Sequence, residues 1–327
     1  MDSACGPSVF HPETSADPGR RPSVGPEAHG SGVGSARRIH IVRNARAFRF
    51  RRGADSHDHQ GDPVKAGVFQ FCPAFGEVRS NLERITTALS GSGADLMVLP
   101  ELCLSGYQFT SLDEVRALSE PVPDGPTVQA LSDLARSRKM FIVAGLSEQA
   151  DGKIFNSAVL IGPEGWMGTY RKTHLFFEET LWFSPGDTGF RLWEAEGVRL
   201  GLMVCFDWTF PEAARSLALA GADIICHPAN LILPYCPDAM VTRSIENRVF
   251  TLTANRTGTE SRGAKPALRF IGKSQATGVR GEILFRMGEE EEGVRVTEFD
   301  PLAARDKRAN EYNDLFGDRR AGMYDLE

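Results

Sequence analysis

Histidine is scarce in this chain of 327 residues: there are seven in all, and from Pro63 onward only His174 and His227. A zinc site, or a Ser-His-Asp or Cys-His centre, would have to be assembled from those two. Both classes are therefore disfavoured, and no metal or cofactor is expected. The six cysteines include no C-x-x-C pair, which removes the usual sign of a zinc ribbon or a dithiol redox site. Cys72, Cys103, Cys205 and Cys226 instead sit in or beside apolar runs, where free thiols behave as small buried hydrophobes. A reducing, cytoplasmic setting fits that usage best. No stretch approaches the ~20 apolar residues that span a bilayer. The N-terminal region also lacks the apolar core of a secretory signal, so no membrane partner is expected.

Lysine is missing from one region altogether. Residues 1–62 hold nine Arg, no Lys and seven acidic residues, so that of the net charge of −6 the remainder of the chain carries −8. So acidic a globular part argues against a nucleic-acid partner. The same 62 residues are rich in Gly, Ser, Pro, Ala and Arg without a sustained apolar period, a composition that does not offset its ordering entropy. They are expected to be a disordered leader. An organelle transit peptide or a translation start assigned too far upstream would explain this stretch equally well. No Met lies between Met1 and Met97, so a start near Val64 would require a non-ATG codon.

From Val64 the pattern changes. Residues 64–71 form an apolar strand candidate, and Val78, Leu82, Ile85 and Leu89 then recur at helical spacing. Residues 96–99 read as a second strand, 128–138 as an amphipathic helix and 140–145 as a third strand. Residues 156–161 and 166–171 read as a hairpin turned by Gly162-Pro163-Glu164-Gly165. Further on, 198–204 reads as a strand, and 211–220 as a helix with Pro in its first turn and Gly221 at its end. Residues 223–226 are a strand, 238–248 a helix and 249–255 a strand, and 283–285 with 294–299 reads as a closing pair of strands. The alternation predicts an α/β fold, a mixed sheet covered by helices, over residues 63–327.

Three strands end in a reactive side chain: 96–100 in Glu101, 168–171 in Lys172 and 200–204 in Cys205. Ligands in such sheets bind beyond the carboxyl ends of strands, so a carboxylate, an amine and a thiol have a place to converge. Taken singly, each has an ordinary structural explanation: a packed small side chain, a solvated strand end, a member of a basic cluster. Two other motifs fail on context. Gly272-Lys273-Ser274 lacks the first Gly of a phosphate loop and reads as a strand or turn, and Gly30-Ser31-Gly32-Val33-Gly34 follows no strand.

Three longer motifs settle the combination. They are Leu99-Pro100-Glu101-Leu102 with Gly106-Tyr107, Tyr170-Arg171-Lys172-Thr173-His174-Leu175-Phe176, and Cys205-Phe206-Asp207 with Phe210-Pro211-Glu212. In this order they resemble the nitrilase superfamily of carbon-nitrogen hydrolases. Asn156-Ser157-Ala158, Phe183-Ser184-Pro185-Gly186-Asp187, His227-Pro228-Ala229-Asn230 and Glu246-Asn247-Arg248 support the likeness, which spans residues 64–324. The resemblance implies a four-layer α-β-β-α sandwich, assembled into homodimers or larger homo-oligomers, with a Glu-Lys-Cys triad. It implies Cys205 as nucleophile, Glu101 as general base and acid, and Lys172 as cationic stabiliser. A second site glutamate is implied between Lys172 and Phe183, and its offset favours Glu179 over Glu178. His174 would pack behind Lys172, and His227 would shape the end of its strand.

Those residue types suit amide hydrolysis, because a covalent thioester replaces one high barrier with two lower ones. A nearby ammonium favours the thiolate and a carboxylate can accept its proton. The expected activity is hydrolysis of a small non-peptide amide or carbamoyl amide to acid and ammonia. Candidate substrate contacts are Phe206, Trp208, Ala229, Asn230 and Tyr235, an aromatic wall with few charges. Typical nitrilases of the family follow the cysteine with Trp-Glu where this chain has Phe206-Asp207-Trp208, which leans toward amides. The stretch through His227-Pro228-Ala229-Asn230-Leu231 and the ending at 314–320 instead look like a prokaryotic and archaeal branch of aliphatic nitrilases. A nitrile substrate is therefore the alternative, and a catalytically inactive interaction or sensor protein on the same fold is a third reading. Removal of residues 1–62 is expected to leave a chain that folds and works like the full one, and comparing solubility and turnover of the two checks this.

Overall fold

The computed structural model describes residues 41–42 and 62–324. Apart from 41–42, the expected leader lies outside the described residues. In chain order the strands of the first half are β1 (Ile41–Val42), β2 (Val64–Gln70), β3 (Leu96–Val98), β4 (Phe141–Ala150), β5 (Lys153–Gly162) and β6 (Gly165–Arg171). Then come β7 (Leu192–Ala195), β8 (Val198–Leu202), β9 (Ile224–Pro228), β10 (Phe250–Ala254) and β11 (Thr259–Glu260). The last are β12 (Leu268–Arg269), β13 (Gln275–Thr277), β14 (Ile283–Arg286) and β15 (Gly293–Phe299). Among the described residues, six α-helices accompany them: α1 (Val78–Ser90), α2 (Leu112–Ala117), α3 (Pro126–Arg138), α4 (Glu179–Trp182), α5 (Pro211–Ala220) and α6 (Cys236–Asn247).

The strands form two large sheets, ordered β15-β2-β3-β4-β5-β6 and β1-β7-β8-β9-β10-β13-β14. Strand alternation sorts side chains between two cores. Along and just after β2, Val64, Ala66 and Val68 enter the core between the sheets, while Phe69 and Phe71 join Ile85 and Leu89 of α1 and Val128 and Leu131 of α3. Along β3, Leu96 and Val98 face one way and Met97 the other, and β5 divides Ala158 and Leu160 from Val159 and Ile161. Burial on both faces is why these strands read as unbroken apolar runs. On the second sheet, α5 lays Leu217 against Gly201 of β8, and Met240 of α6 joins the same core. Helix, sheet, sheet and helix make a four-layer α-β-β-α sandwich, the arrangement that the sequence resemblance implied.

One expectation is corrected. Residues 283–285 and 294–299 do not pair with each other: β14 pairs with β13 in one sheet and β15 with β2 in the other. Both runs are apolar and close in sequence, so local pattern favoured a hairpin; the partners chosen lie far back in the chain, where pattern carries no information. Paired strands at β7 against β8, β13 against β10 and β11 against β12 were not anticipated. Two residues of the leader, β1, run parallel to β7.

Gly145 fixes the position of the Glu101 turn. Its N–H donates to the Pro100 carbonyl at 3.2 Å and its carbonyl accepts from Cys103 N–H at 3.0 Å. A methyl group built there would overlap the Glu101 Cα. Gly145→Ala is expected to destabilise the fold by about 1–3 kcal/mol, the usual cost of overpacking, and to lower activity with it; thermal melting and turnover measured on one preparation check this.

Candidate active site

Each of the three reactive side chains follows a strand, and the sandwich brings the ends of those strands together. Glu101 lies three residues past β3, Lys172 directly follows β6, and Cys205 follows β8. Glu101 and Lys172 are 0% and 1% exposed, and Cys205 keeps 5%. The Lys172 ammonium donates to Glu101 Oε1 at 2.7 Å and to Glu179 Oε1 at 2.8 Å, and is in ion-pair contact with Glu179 Oε2 at 2.7 Å. Asn156 Nδ2 donates to Glu101 Oε1 at 2.7 Å and to Glu179 Oε2 at 3.4 Å. Glu101 Oε2 and Asn156 Oδ1, both buried, have no hydrogen-bond partner. The choice between neighbouring glutamates is plain: Glu179 takes the ammonium, while Glu178 pairs with Lys265 at 2.5 Å.

These charges act on one another strongly because burial removes the competing water. Burial alone would lower the Lys172 pKa, but Glu101 and Glu179 outweigh it and hold the ammonium charged. Burial, reinforced by the Glu101 charge, pushes Glu179 up to about 7 against the pull of Lys172. The Cys205 thiol is pushed well above its ordinary value, first by burial and then by Glu101; Lys172 and the Asn230 backbone N–H oppose this without overcoming it. Burial and the neighbouring carboxylates thus favour the neutral thiol of Cys205 over the thiolate that the ammonium alone would favour.

The backbone of Cys205 is itself strained, with φ at 40°, in the left-handed region that a side chain disfavours. Two buried groups hold it there. His227 Nε2 bonds the Cys205 carbonyl at 2.9 Å, and the Asp207 carboxylate accepts from Val204 N–H at 2.8 Å. Burial lowers the His227 pKa, so the neutral ring donates from Nε2 while Nδ1 meets the Thr253 hydroxyl at 3.1 Å. Asp207 also accepts from the Tyr170 hydroxyl at 2.8 Å and pairs with His174 Nδ1 at 2.7 Å. The lysine motif and the cysteine motif are thus tied to each other through one carboxylate. His174 serves that tie.

Among the expected substrate contacts, Ala229 is fully buried and its N–H donates to the Ala254 carbonyl at 2.8 Å. Asn230 is 3% exposed, and neither Oδ1 nor Nδ2 of its side chain has a partner. Trp208 packs against the main core and its carbonyl accepts from the Arg243 guanidinium, while Tyr235 is 63% exposed at the start of α6. The aromatic neighbours of Phe206 are Phe176 at 5.0 Å and Phe210 at 5.5 Å between ring centroids. A charged cleft of about 270 Å³ at Cys72, Arg269 and Glu292 contains none of these side chains. Among the described residues no cluster of His, Cys, Asp and Glu is arranged to hold a metal, and no helix is long and apolar enough to cross a membrane.

Residues 65–309 match the family model described as carbon-nitrogen hydrolase. The chain belongs to the carbon-nitrogen hydrolase family. It is 46% identical over 264 residues to a nitrilase of Pyrococcus abyssi, covering 80% of this chain and 99% of that one. It is also 36% identical over 234 residues to an (R)-stereoselective amidase of a Pseudomonas species, covering 70% and 82%. A solved carbon-nitrogen hydrolase from Helicobacter pylori superposes with a TM-score of 0.71 at 27% identity, covering 80% of this chain and 97% of that one. This carbon-nitrogen hydrolase is therefore an enzyme of the nitrilase and amidase type. Four of its site groups were not assigned roles from sequence: Tyr107, Asn156, Asp207 and Phe176. The motif matches contained all four, but only the fold shows which of them reach the charged centre.

Proposed function

We propose that this enzyme hydrolyses a small non-peptide amide or carbamoyl amide to the acid and ammonia through a thioester on Cys205. The carrying observation is that Glu101 has one oxygen committed to Lys172 and Asn156 and the other, Oε2, without a donor. An oxygen so placed is free to move protons. As Cys205 Sγ bonds to the substrate carbonyl carbon, its proton passes to Glu101 Oε2 and the carbonyl π pair moves to oxygen. The Lys172 ammonium, held charged, meets that oxyanion together with the Phe206 N–H, which opens a tight turn at 205–209. Collapse re-forms the carbonyl, breaks the C–N bond and sends the Glu101 proton to departing ammonia. Water then attacks the thioester, giving its proton to Glu101, and the sulfur leaves and recovers a proton as the acid is released.

The Asn230 side chain favours an amide over a nitrile. It is buried with both a donor and an acceptor unpaired, and leaving such groups unmet costs about 1–3 kcal/mol each. A carboxamide or carbamoyl group offers the complementary pair. A nitrile offers a single acceptor. The Pyrococcus abyssi relative, which carries the name nitrilase, keeps the second reading open on the same groups.

Cys205→Ala is expected to fold and to have no turnover, and wild type quenched during reaction is expected to show acyl mass on Cys205 by mass spectrometry; full activity in the variant ends the mechanism. Glu101→Gln is expected to lose at least ~100-fold in kcat, the scale for a general base. For substrate class, ammonia release is to be compared across short amides, N-carbamoyl amines and aliphatic nitriles. Turnover of amides or carbamoyl compounds above nitriles is the expected order, and the reverse order overturns the amide reading.

A further inference from the structure

Lys172 stands between two carboxylates that look interchangeable in sequence, and their surroundings are not alike. Glu179 is saturated with donors. Its Oε1 accepts from the Tyr107 hydroxyl at 2.8 Å and from Lys172 at 2.8 Å, and its Oε2 accepts from Asn156 at 3.4 Å and lies in ion-pair contact with the Lys172 ammonium at 2.7 Å. Glu101 has donors on Oε1 only. Asn156 and Lys172 serve both carboxylates, so the group that distinguishes them is the Tyr107 hydroxyl.

Tyr107 is held firmly enough for that task. Its N–H and that of Gln108 donate to the Glu260 carboxylate at 3.1 and 2.6 Å, and Glu260 is paired with the fully buried Arg256. Its ring packs edge-on against Phe270 at 5.9 Å, and the residue is 9% exposed. Burial and the nearby carboxylates push the phenol well above its ordinary value, so it remains a donor throughout the working pH range.

We propose that Tyr107 is a positioning residue of this hydrolase: its hydroxyl, anchored through the Arg256–Glu260 pair, keeps Glu179 a saturated carboxylate that takes no part in proton transfer, leaving that to Glu101. The proposal rests on the reading of Cys205 and Glu101 given above. Its physical content is a competition for Glu179. A proton can settle on that carboxylate only by displacing one of the donors already aimed at it. When it does, Lys172 loses one of its two counter-charges and is drawn toward Glu101 Oε1, so the geometry prepared for attack is lost. Without the hydroxyl, Oε1 keeps only the ammonium, protonation of Glu179 becomes easier, and the active form survives over a narrower range on the acid side.

The test reads the thiol and needs no substrate. Full-length wild type, Tyr107→Phe, Glu179→Gln and the double variant are treated with iodoacetamide across pH 5 to 10, and alkylation of Cys205 is followed by peptide mass spectrometry. In wild type the rate is expected to rise with pH throughout as the buried thiol ionises, with an acid limb superimposed on that rise as pH drops through about 7, where Glu179 takes up its proton. Tyr107→Phe keeps the ring; its acid limb is expected to move up by about one pH unit, with rates at high pH within about twofold of wild type. In the Glu179→Gln background the same change is expected to move nothing. A uniform rate loss at every pH, or a shift that persists without Glu179, overturns the proposal and leaves Tyr107 as packing. Failure of Cys205 to alkylate in wild type overturns the nucleophile assignment beneath it, while normal shifts without ammonia release from any amide, carbamoyl compound or nitrile count against the hydrolysis reading alone.

Discussion

One ammonium, Lys172, holds this site together. It is nearly inaccessible to water and lies within 2.8 Å of oxygens from two carboxylates that come from separate segments, the turn after β3 and the first turn of α4. Without it, Glu101 and Glu179 would repel each other in a medium that screens poorly, and breaking a buried pair of this kind typically costs 3–5 kcal/mol. In the proposed mechanism, the same ion that stabilises the resting fold is also the donor to the developing oxyanion. Its position is set by β6, whose continuation places Lys172 N–H on the Asn156 carbonyl at 2.8 Å and its own carbonyl on Gly186 N–H at 2.9 Å. Charge and backbone are fixed together, which is what preorganisation requires.

The thiol is prepared in the opposite manner. Lys172 is stabilised in its charged state, whereas Cys205 is kept neutral by burial and by the carboxylates beside it. A buried thiolate facing that environment would be costly at rest, so in the proposed mechanism ionisation coincides with transfer of the proton to Glu101. The strained φ at Cys205 exposes the cost of presenting the sulfur at the strand end, and Asp207 and His227 supply the bonds that offset it. Asp207 has a second effect. By bonding Tyr170 and His174 as well, it couples the register of β6, and hence the height of Lys172, to the turn that carries Cys205.

What the sequence made legible follows from how locally each feature is determined. Strands β2, β3 and β5 are buried on both faces, so their apolar runs were unmistakable; α5 carried Pro211 at its start and Gly221, in the left-handed conformation, at its end. The three reactive residues stood out because each follows a strand, Glu101 and Cys205 after apolar runs and Lys172 after β6. Pairing was harder. β14 and β15 were joined in the sequence reading and lie in different sheets, since their partners β13 and β2 are specified by tertiary packing. Strand β7 was missed because Leu192, Trp193 and Ala195 form too short a run beside Gly189 and Gly197 to stand out. The site was legible as three residues; as a network it was not. Tyr107 and Glu179 are 72 positions apart, and nothing local announces a phenol bonded to a distant carboxylate.

The charge count of the centre bears on which molecules it turns over. While Glu101, Lys172 and Glu179 are all ionised and Cys205 is a thiol, the cluster carries one net negative charge in a poorly screened interior. On the proposed mechanism, a neutral amide or nitrile would enter without electrostatic penalty and meet the ammonium only as its carbonyl oxygen or nitrogen gains charge. The acid formed at the end would be an anion beside two carboxylates, and at an effective dielectric near 20 a like charge 4 Å away costs about 4 kcal/mol before the ammonium's attraction is counted. Binding would thereby be biased toward the neutral substrate and against the charged product, so that the arrangement that holds Lys172 in the resting structure would, in that mechanism, also favour product release.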